Sequence, residues 1–200
     1  SGNLGGGFST PTPVNNLPAG YVAIPAQDVT MEATLMNYMN GPQNWANNNG
    51  GAVFTVPGCG PITWTNDFDM DNWVWNCSYI DGHIDVTFTA HDNCGHTFTT
   101  CATFTLVDTQ GPNCVKATNF TLDCSDPNAA ADLDEWLNYD GNWNDLSQPV
   151  TFSHDFTGIP PGACNGAPIT VTWTATDNCG NETIFVGYLT VVDGQAPTLL

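Results

Sequence analysis

The sequence predicts a mostly β protein: two tandem antiparallel β-sandwich units, each with one short inserted α-helix. Three observations predict it. First, one phrase is written twice. Residues 86–112 read VTFTAHDNCGHTFTTCATFTLVDTQGP, and residues 171–197 read VTWTATDNCGNETIFVGYLTVVDGQAP. The DNCG tetrads start at Asp92 and Asp177, and Asp108/Asp193 and Pro112/Pro197 keep the same offset of 85 positions. A fixed offset across a whole segment marks a tandem structural unit. Second, Ile84, Val86, Phe88 and Ala90 alternate with Asp85, Thr87 and Thr89, while Ile169, Val171, Trp173 and Ala175 alternate with Thr170, Thr172 and Thr174. Period two with threonine on one face is a half-buried antiparallel strand. Third, 200 residues at 41% hydrophobic content suffice for real cores and divide naturally into two domains of about 100 residues.

The elements follow in order. Residues 1–9 (SGNLGGGFS) read as a Gly-rich arm or linker. The first unit is expected over 10–110 and the second over 111–195. Each opens on a Pro-marked segment, TPTPV at 10–14 and GPNCV at 111–115. A third opening, APTLL at 196–200, reads as the start of a next repeat or as a strand donated to a neighbour. The chain starts without Met or a signal-like segment, which reads as processing or as excision from something longer.

In the first unit Asp28 precedes Val29, Glu32, Leu35, Met36 and Met39, a helical pattern ending near Gly41-Pro42. Strands are expected at 53–56, 61–66 and 97–107. The second unit offers a strand at 119–123, then a helix. Asp126 caps that helix, Pro127 suits its first position, Leu133, Trp136 and Leu137 form its apolar face, and Gly141 ends it. Strands at 149–154 and 183–192 complete the unit. Several strands with one helix between the early ones indicate a sandwich of immunoglobulin type.

Charge narrows the partners. The chain has one Lys or Arg (Lys116), twenty acidic residues and a net charge of −19. Phosphate contacts need Lys and Arg, so nucleic acid is excluded as a partner. Anionic membrane is repelled as well, and no apolar run is long enough to insert. Metal cations are attracted. Eight cysteines without a C-x-x-C pair read as disulfides formed in an oxidising compartment.

Calcium is the expected ion. Asp67, Asp69 and Asp71 alternate, so an extended segment projects them on one side, and converging carboxylates ask for a hard cation. A second candidate set lies toward the unit boundaries: Asp92, Asp108, Asp123, Asp126, Asp177 and Asp193. The plain alternative for each is a turn cap that keeps the surface soluble. Zinc is the rival ion, because His91, Cys94 and His96 crowd together in HDNCGH. The second unit reads TDNCGN and keeps only the cysteine, which favours a disulfide, since that needs only the sulfur.

Trp45, Trp73, Trp75, Trp143 and Tyr79 fall in loops or near helix ends, whereas Trp64 and Trp173 sit on alternating strands and read as core. Trp73, Trp75 and Tyr79 would form the stacking face if the protein were a carbohydrate-binding module of a secreted glycan-degrading system. No G-x-S-x-G or H-E-x-x-H motif is present, and the four histidines have no counterparts in the other unit. No enzyme activity is expected.

At this point the chain resembles the hyalin-repeat-like (HYR-like), immunoglobulin-like repeats of large Bacteroidota surface adhesins and secreted fibre proteins. The matching phrases are WANNNGGAVFTVPGCGPITWTNDF (45–68), VTFTAHDNCG (86–95), TLVDTQGP (105–112), FTLDCSD (120–126), VTWTATDNCGN (171–181) and VVDGQAP (191–197). The resemblance implies an extracellular, bacterial-surface sandwich array for attachment, motility or fibre building. Its partners would be copies of itself or neighbouring repeats, head to tail, and surface glycans. It implies no catalytic residues. Repeats of this kind pair a cysteine of the FTLDC-like strand with one in a later CG loop. The second unit has Cys124 without an evident loop, and the first has Cys59 without a cysteine in VAIPA. Cys101 and Cys114 then look like replacement partners.

Matching places in the two units suggest Cys77–Cys94 and Cys164–Cys179, loops of a size worth roughly 3 kcal/mol each in the chain-entropy model. Elimination leaves Cys59–Cys101 and Cys114–Cys124, pairings that sequence alone leaves open.

Overall fold

The alternating segments form the two longest hairpins of the protein. A computed structural model describes residues 18–113, 119–138, 145–164 and 166–195. Its contacts divide the chain into two units, Ser1–Asp108 and Thr109–Leu200.

The first unit contains β1 (Val22–Ile24), β2 (Val29–Glu32), α1 (Leu35–Asn47), β3 (Val53–Thr55), β4 (Thr63–Asn66), β5 (Val74–Trp75), β6 (Gly82–His91) and β7 (Thr97–Val107). Its large sheet runs β2-β7-β6-β4, with β5 also paired to β6. The β6–β7 hairpin is in register from Gly82↔Leu106 to His91↔Thr97. A second, two-stranded sheet pairs β1 with β3. The two sheets share a core in which Phe54 of β3 stacks on Phe98 of β7 at 5.5 Å, with Trp64 edge-on to Phe98 at 6.4 Å. Farther along the same inner face, Trp45 of α1 meets Phe88 edge-on at 5.3 Å and Phe104 at 5.6 Å.

The second unit contains β8 (Asn119–Asp123), α2 (Ala129–Leu137), β9 (Thr151–His154), β10 (Ile169–Thr176) and β11 (Glu182–Val192). Its sheet runs β8-β11-β10-β9, the order of the first unit repeated. Register repeats as well: Ile84↔Phe104 in one unit is Ile169↔Leu189 in the other. Both units lay their early strand parallel to their last, β2 on β7 and β8 on β11. Helix α2 covers the inner face. Trp136 stacks on Phe120 at 5.5 Å and meets Trp173 edge-on at 4.8 Å. The fold class is thus mostly β and two-unit with helices packed on sheets, as expected of immunoglobulin-type sandwiches. Among the described residues the second unit shows one sheet.

The first helix departs from expectation. Val29–Glu32 is strand β2, held by its parallel ladder to β7, and the Asp28 carboxylate accepts the Thr103 N–H at 2.9 Å instead of capping a helix. Helix α1 starts later, with the Thr34 hydroxyl accepting the Asn37 N–H at 3.1 Å. It runs through Gly41-Pro42. A Cβ at Gly41 would stand 2.8 Å from the Phe104 ring, so the glycine serves close packing and not termination. The buried face of α1 is Pro42, Trp45 and Ala46, while Met36 and Met39 are exposed. Trp45 is therefore a helical core residue, and Trp64 is only partly buried. Helix α2 starts after Asn128, with the Asp126 carboxylate accepting the Asn128 N–H at 2.8 Å. Gly141, Trp143, Cys114 and Lys116 lie outside the described residues.

Candidate functional site

The repeated DNCG turns are the most constructed features of the chain. They close the β6–β7 and β10–β11 hairpins. Asp92 Oδ1 accepts the backbone N–H groups of Cys94 at 2.9 Å and His96 at 2.8 Å. Asp177 Oδ1 does the same for Cys179 at 2.8 Å and Asn181 at 2.9 Å. The second carboxylate oxygen takes one side-chain partner: His96 Nδ1 lies 2.6 Å from Asp92 Oδ2, and Asn181 Nδ2 donates to Asp177 Oδ2 at 3.0 Å. Gly95 and Gly180 carry φ of 91° and 87°, a conformation that favours glycine. Each aspartate is the hub of its turn, and the fifth residue needs only a donor. The ring of His91 contacts the Thr97 hydroxyl at 3.2 Å.

These hubs give a paired prediction. Asp92→Ala and Asp177→Ala each take the shared acceptor from two part-buried N–H groups and should each lower the urea midpoint of their unit. His96→Asn installs the second unit's own solution and should stay within about 0.5 kcal/mol.

A second carboxylate device is also duplicated. Asp67 Oδ1 accepts the Thr87 N–H at 2.7 Å while its own N–H donates to the Thr87 carbonyl at 3.3 Å. Asp155 repeats both bonds with Thr172, at 2.8 and 3.0 Å. The sequence around them repeats at an offset of 88, CGPITWTNDF at 59–68 against SQPVTFSHDF at 147–156. Asp67 and Asp155 therefore lock the ends of β4 and β9 to β6 and β10.

The other candidate ligands have local partners too. Asp69 caps a single 3-10 turn by accepting the Asp71 N–H at 3.0 Å, and Asp71 is exposed. Asp123 accepts the N–H and hydroxyl of Ser125 and the N–H of Gly194. Asp193 accepts the Gln195 N–H, and the Asp108 N–H donates to the buried Asp81 at 2.8 Å. Among the described residues, no three carboxylates within one unit bring ligand atoms inside 4.8 Å of each other, so Asp67, Asp69 and Asp71 do not converge.

Hydrogen bonding sets the acid behaviour of three of these groups. For Asp92 burial pushes upward, but the His96 ring and the N–H groups of His96 and Cys94 outweigh it and hold the carboxyl below its ordinary 3.8. Ser125, then Gly194, lowers Asp123, and the Thr172 N–H lowers Asp155. A depressed folded-state value stabilises the fold above the unfolded value and is lost as pH falls through the folded one. Urea midpoints should therefore hold from neutral pH to about pH 5 and fall below about pH 4.

The cysteine pairing differs from all the sequence-based assignments that fall on described residues. Cys59 bonds Cys94, with Cα atoms 5.3 Å apart, and Cys124 bonds Cys164 at 6.5 Å. The expected Cys77–Cys94, Cys164–Cys179, Cys59–Cys101 and Cys114–Cys124 bonds are thereby overturned. Cys101 is a free thiol, half-buried on β7. Cys77 and Cys179 are each disulfide-bonded.

The repeat explains the error. Asn93 N–H donates to the Cys59 carbonyl at 3.0 Å, and Asn178 N–H donates to that of Ser147 at 2.9 Å. Ser147 thus occupies the place of Cys59, and its hydroxyl lies 3.3 Å from Cys179 Sγ. Likewise Ala33 follows β2 where Cys124 follows β8. Each unit keeps one staple and lacks one cysteine of the other. The CGPITW/SQPVTF match was the signal that could have found this.

The aromatic face is also revised. Trp73 is 5% exposed, under Tyr38 at 5.7 Å, so it is unavailable to a sugar ring. Trp75 and Tyr79 are 51% and 57% exposed, and Trp75 lies against Tyr38 at 5.8 Å.

No family model matches the chain, and no curated protein matches it. Among solved structures, the human desmocollin-1 ectodomain is similar at 14% identity and a TM-score of 0.27. The match covers 74% of this chain and 33% of that one, so the chain spans about a third of its length. No helix among the described residues is long and apolar enough to cross a membrane.

Proposed function

We infer that the chain is part of an extracellular structural or adhesive repeat protein, a segment of a long surface adhesin or filament. The observation that carries this reading is one sheet order and register built twice, each copy stapled by its own internal disulfide. Such bonds persist in oxidising compartments. The parallel pairing of an early strand with the last strand of each unit adds mechanical support. Tension applied at the two ends of a unit shears the β2–β7 or β8–β11 ladder along its length instead of peeling it bond by bond. The resemblance to HYR-like repeats points the same way.

Head-to-tail contact with copies of the chain is the expected partnership. Strands β8 and β9 end the described order of the second sheet, and strand addition would use such an edge. Electron microscopy tests this reading. Filaments or end-to-end oligomers that vanish on deleting residues 1–14 or 196–200 support it. A monodisperse monomer at all concentrations contradicts it.

Calcium belongs to the same reading because twenty acidic residues face one basic side chain. Millimolar calcium should raise the melting temperature by several degrees and excess chelator should reverse the rise. An unchanged melt removes the ion from the account.

A further inference from the structure

We propose that the first unit's DNCG turn is a redox-gated zinc site, formed by Cys59, Cys94, His96 and Asp92 when the Cys59–Cys94 disulfide is reduced. The proposal stands apart from the adhesive reading. One ligand atom from each of these four residues lies within 4.8 Å of all the others. Two thiolates, an imidazole and a carboxylate make a zinc ligand set. Asp92 and His96 are held in place independently of the disulfide. The Asp92 side chain is fully buried and fixed by two backbone N–H groups, and the His96 ring is 23% exposed and oriented by Asp92.

The second unit supplies the control. It keeps the aspartate and one cysteine but has Ser147 for Cys59 and Asn181 for His96. Asn181 makes the same bond to its aspartate, so the turn does not require an imidazole. Histidine appears in the copy that also holds the second sulfur. Turn geometry leaves that pairing unexplained, whereas zinc binding requires both groups.

A dithiol reductant passes two electrons and two protons to the Cys59–Cys94 bond and becomes a disulfide itself. Zinc binding then displaces the two thiol protons. Reoxidation takes two electrons from the two thiolates into a disulfide oxidant, reforms the sulfur–sulfur bond and expels Zn²⁺. The ion would hold the β6–β7 turn before the chain is oxidised and leave as the staple closes.

The test titrates cobalt(II), then competing zinc, into the full chain, reduced and oxidised, with far-UV circular dichroism in parallel. The reduced chain should develop sulfur-to-cobalt charge-transfer absorption that zinc quenches, and the oxidised chain should not. His96→Asn, which retains the turn, removes a ligand and should weaken binding by more than about a hundredfold, beyond the loss of an outer partner. Cys59→Ser should abolish the first-unit signal. No absorption in the reduced chain overturns the proposal. So does binding by either variant at wild-type affinity, which would place the ion on the other reduced cysteines. A reduced chain that loses its β signal and does not regain it with metal overturns it as well.

Discussion

Replacing Trp173 by alanine is expected to unfold the second unit at a temperature lower by more than about 10 °C, from a loss of about 3–5 kcal/mol. Trp173 is fully buried on β10. Its ring stacks on Phe185 at 5.5 Å and meets Trp136 of α2 edge-on at 4.8 Å. Its indole N–H donates to the Leu137 carbonyl at 3.1 Å, at the last residue of α2. The substitution opens a cavity, removes two aromatic contacts and leaves a buried carbonyl short of a donor. It thus uncouples helix from sheet. A domain of this size holds only about 5–15 kcal/mol in reserve, so the loss is a large share. The first unit has Phe88 at the equivalent register, fully buried against Trp45. Trp173→Phe should accordingly lose much less than Trp173→Ala. Differential scanning calorimetry checks this. The alanine variant should move the second unit's transition and leave that of the first. An unmoved second transition would remove Trp173 from the centre of the core.

The second large effect is on the staples. Cys124→Ser with Cys164→Ser opens a loop of 40 residues that contains α2 and β9. The chain-entropy model assigns that closure about 4 kcal/mol. The Cys59–Cys94 bond spans 35 residues and contains β4, β5 and β6, so its double serine variant should lose a similar amount from the first unit. Paired substitution leaves no orphan thiol to mispair. Urea midpoints read per unit should fall in the altered unit alone. An unchanged midpoint in both variants would mean that the bonds do not constrain the unfolded chain.

Much of the fold could be read from the sequence because its largest elements are local patterns. Strands β6, β7, β10 and β11 declare themselves by alternation with threonine, and the repeat aligns them. The 119–123 strand was legible for the same reason. Strand β2 was not. Four residues near Asp28 form a strand because β7 pairs with them from far along the chain, and no local pattern reports a parallel partner. The Gly41-Pro42 pair looked like a stop because its packing against Phe104 is a tertiary fact. The sites show the same divide. That Asp92 and Asp177 matter was visible from the repeat, but their role as turn hubs needed the hydrogen bonds. The staples were misread because they join segments that repeat at different offsets, 88 positions at Cys59 and 85 at Cys94. Cys77 and Cys164 recur 87 positions apart and Cys94 and Cys179 recur 85 apart, and that near match pairs cysteines that belong to different bonds.

Peptide mapping by mass spectrometry of the unreduced chain, with free thiols alkylated first, reads the staple of each unit. Linked peptides carrying Cys59–Cys94 and Cys124–Cys164 are expected, together with alkylated Cys101. Peptides joining Cys77 to Cys94 or Cys164 to Cys179, or alkylation throughout, would contradict this pairing.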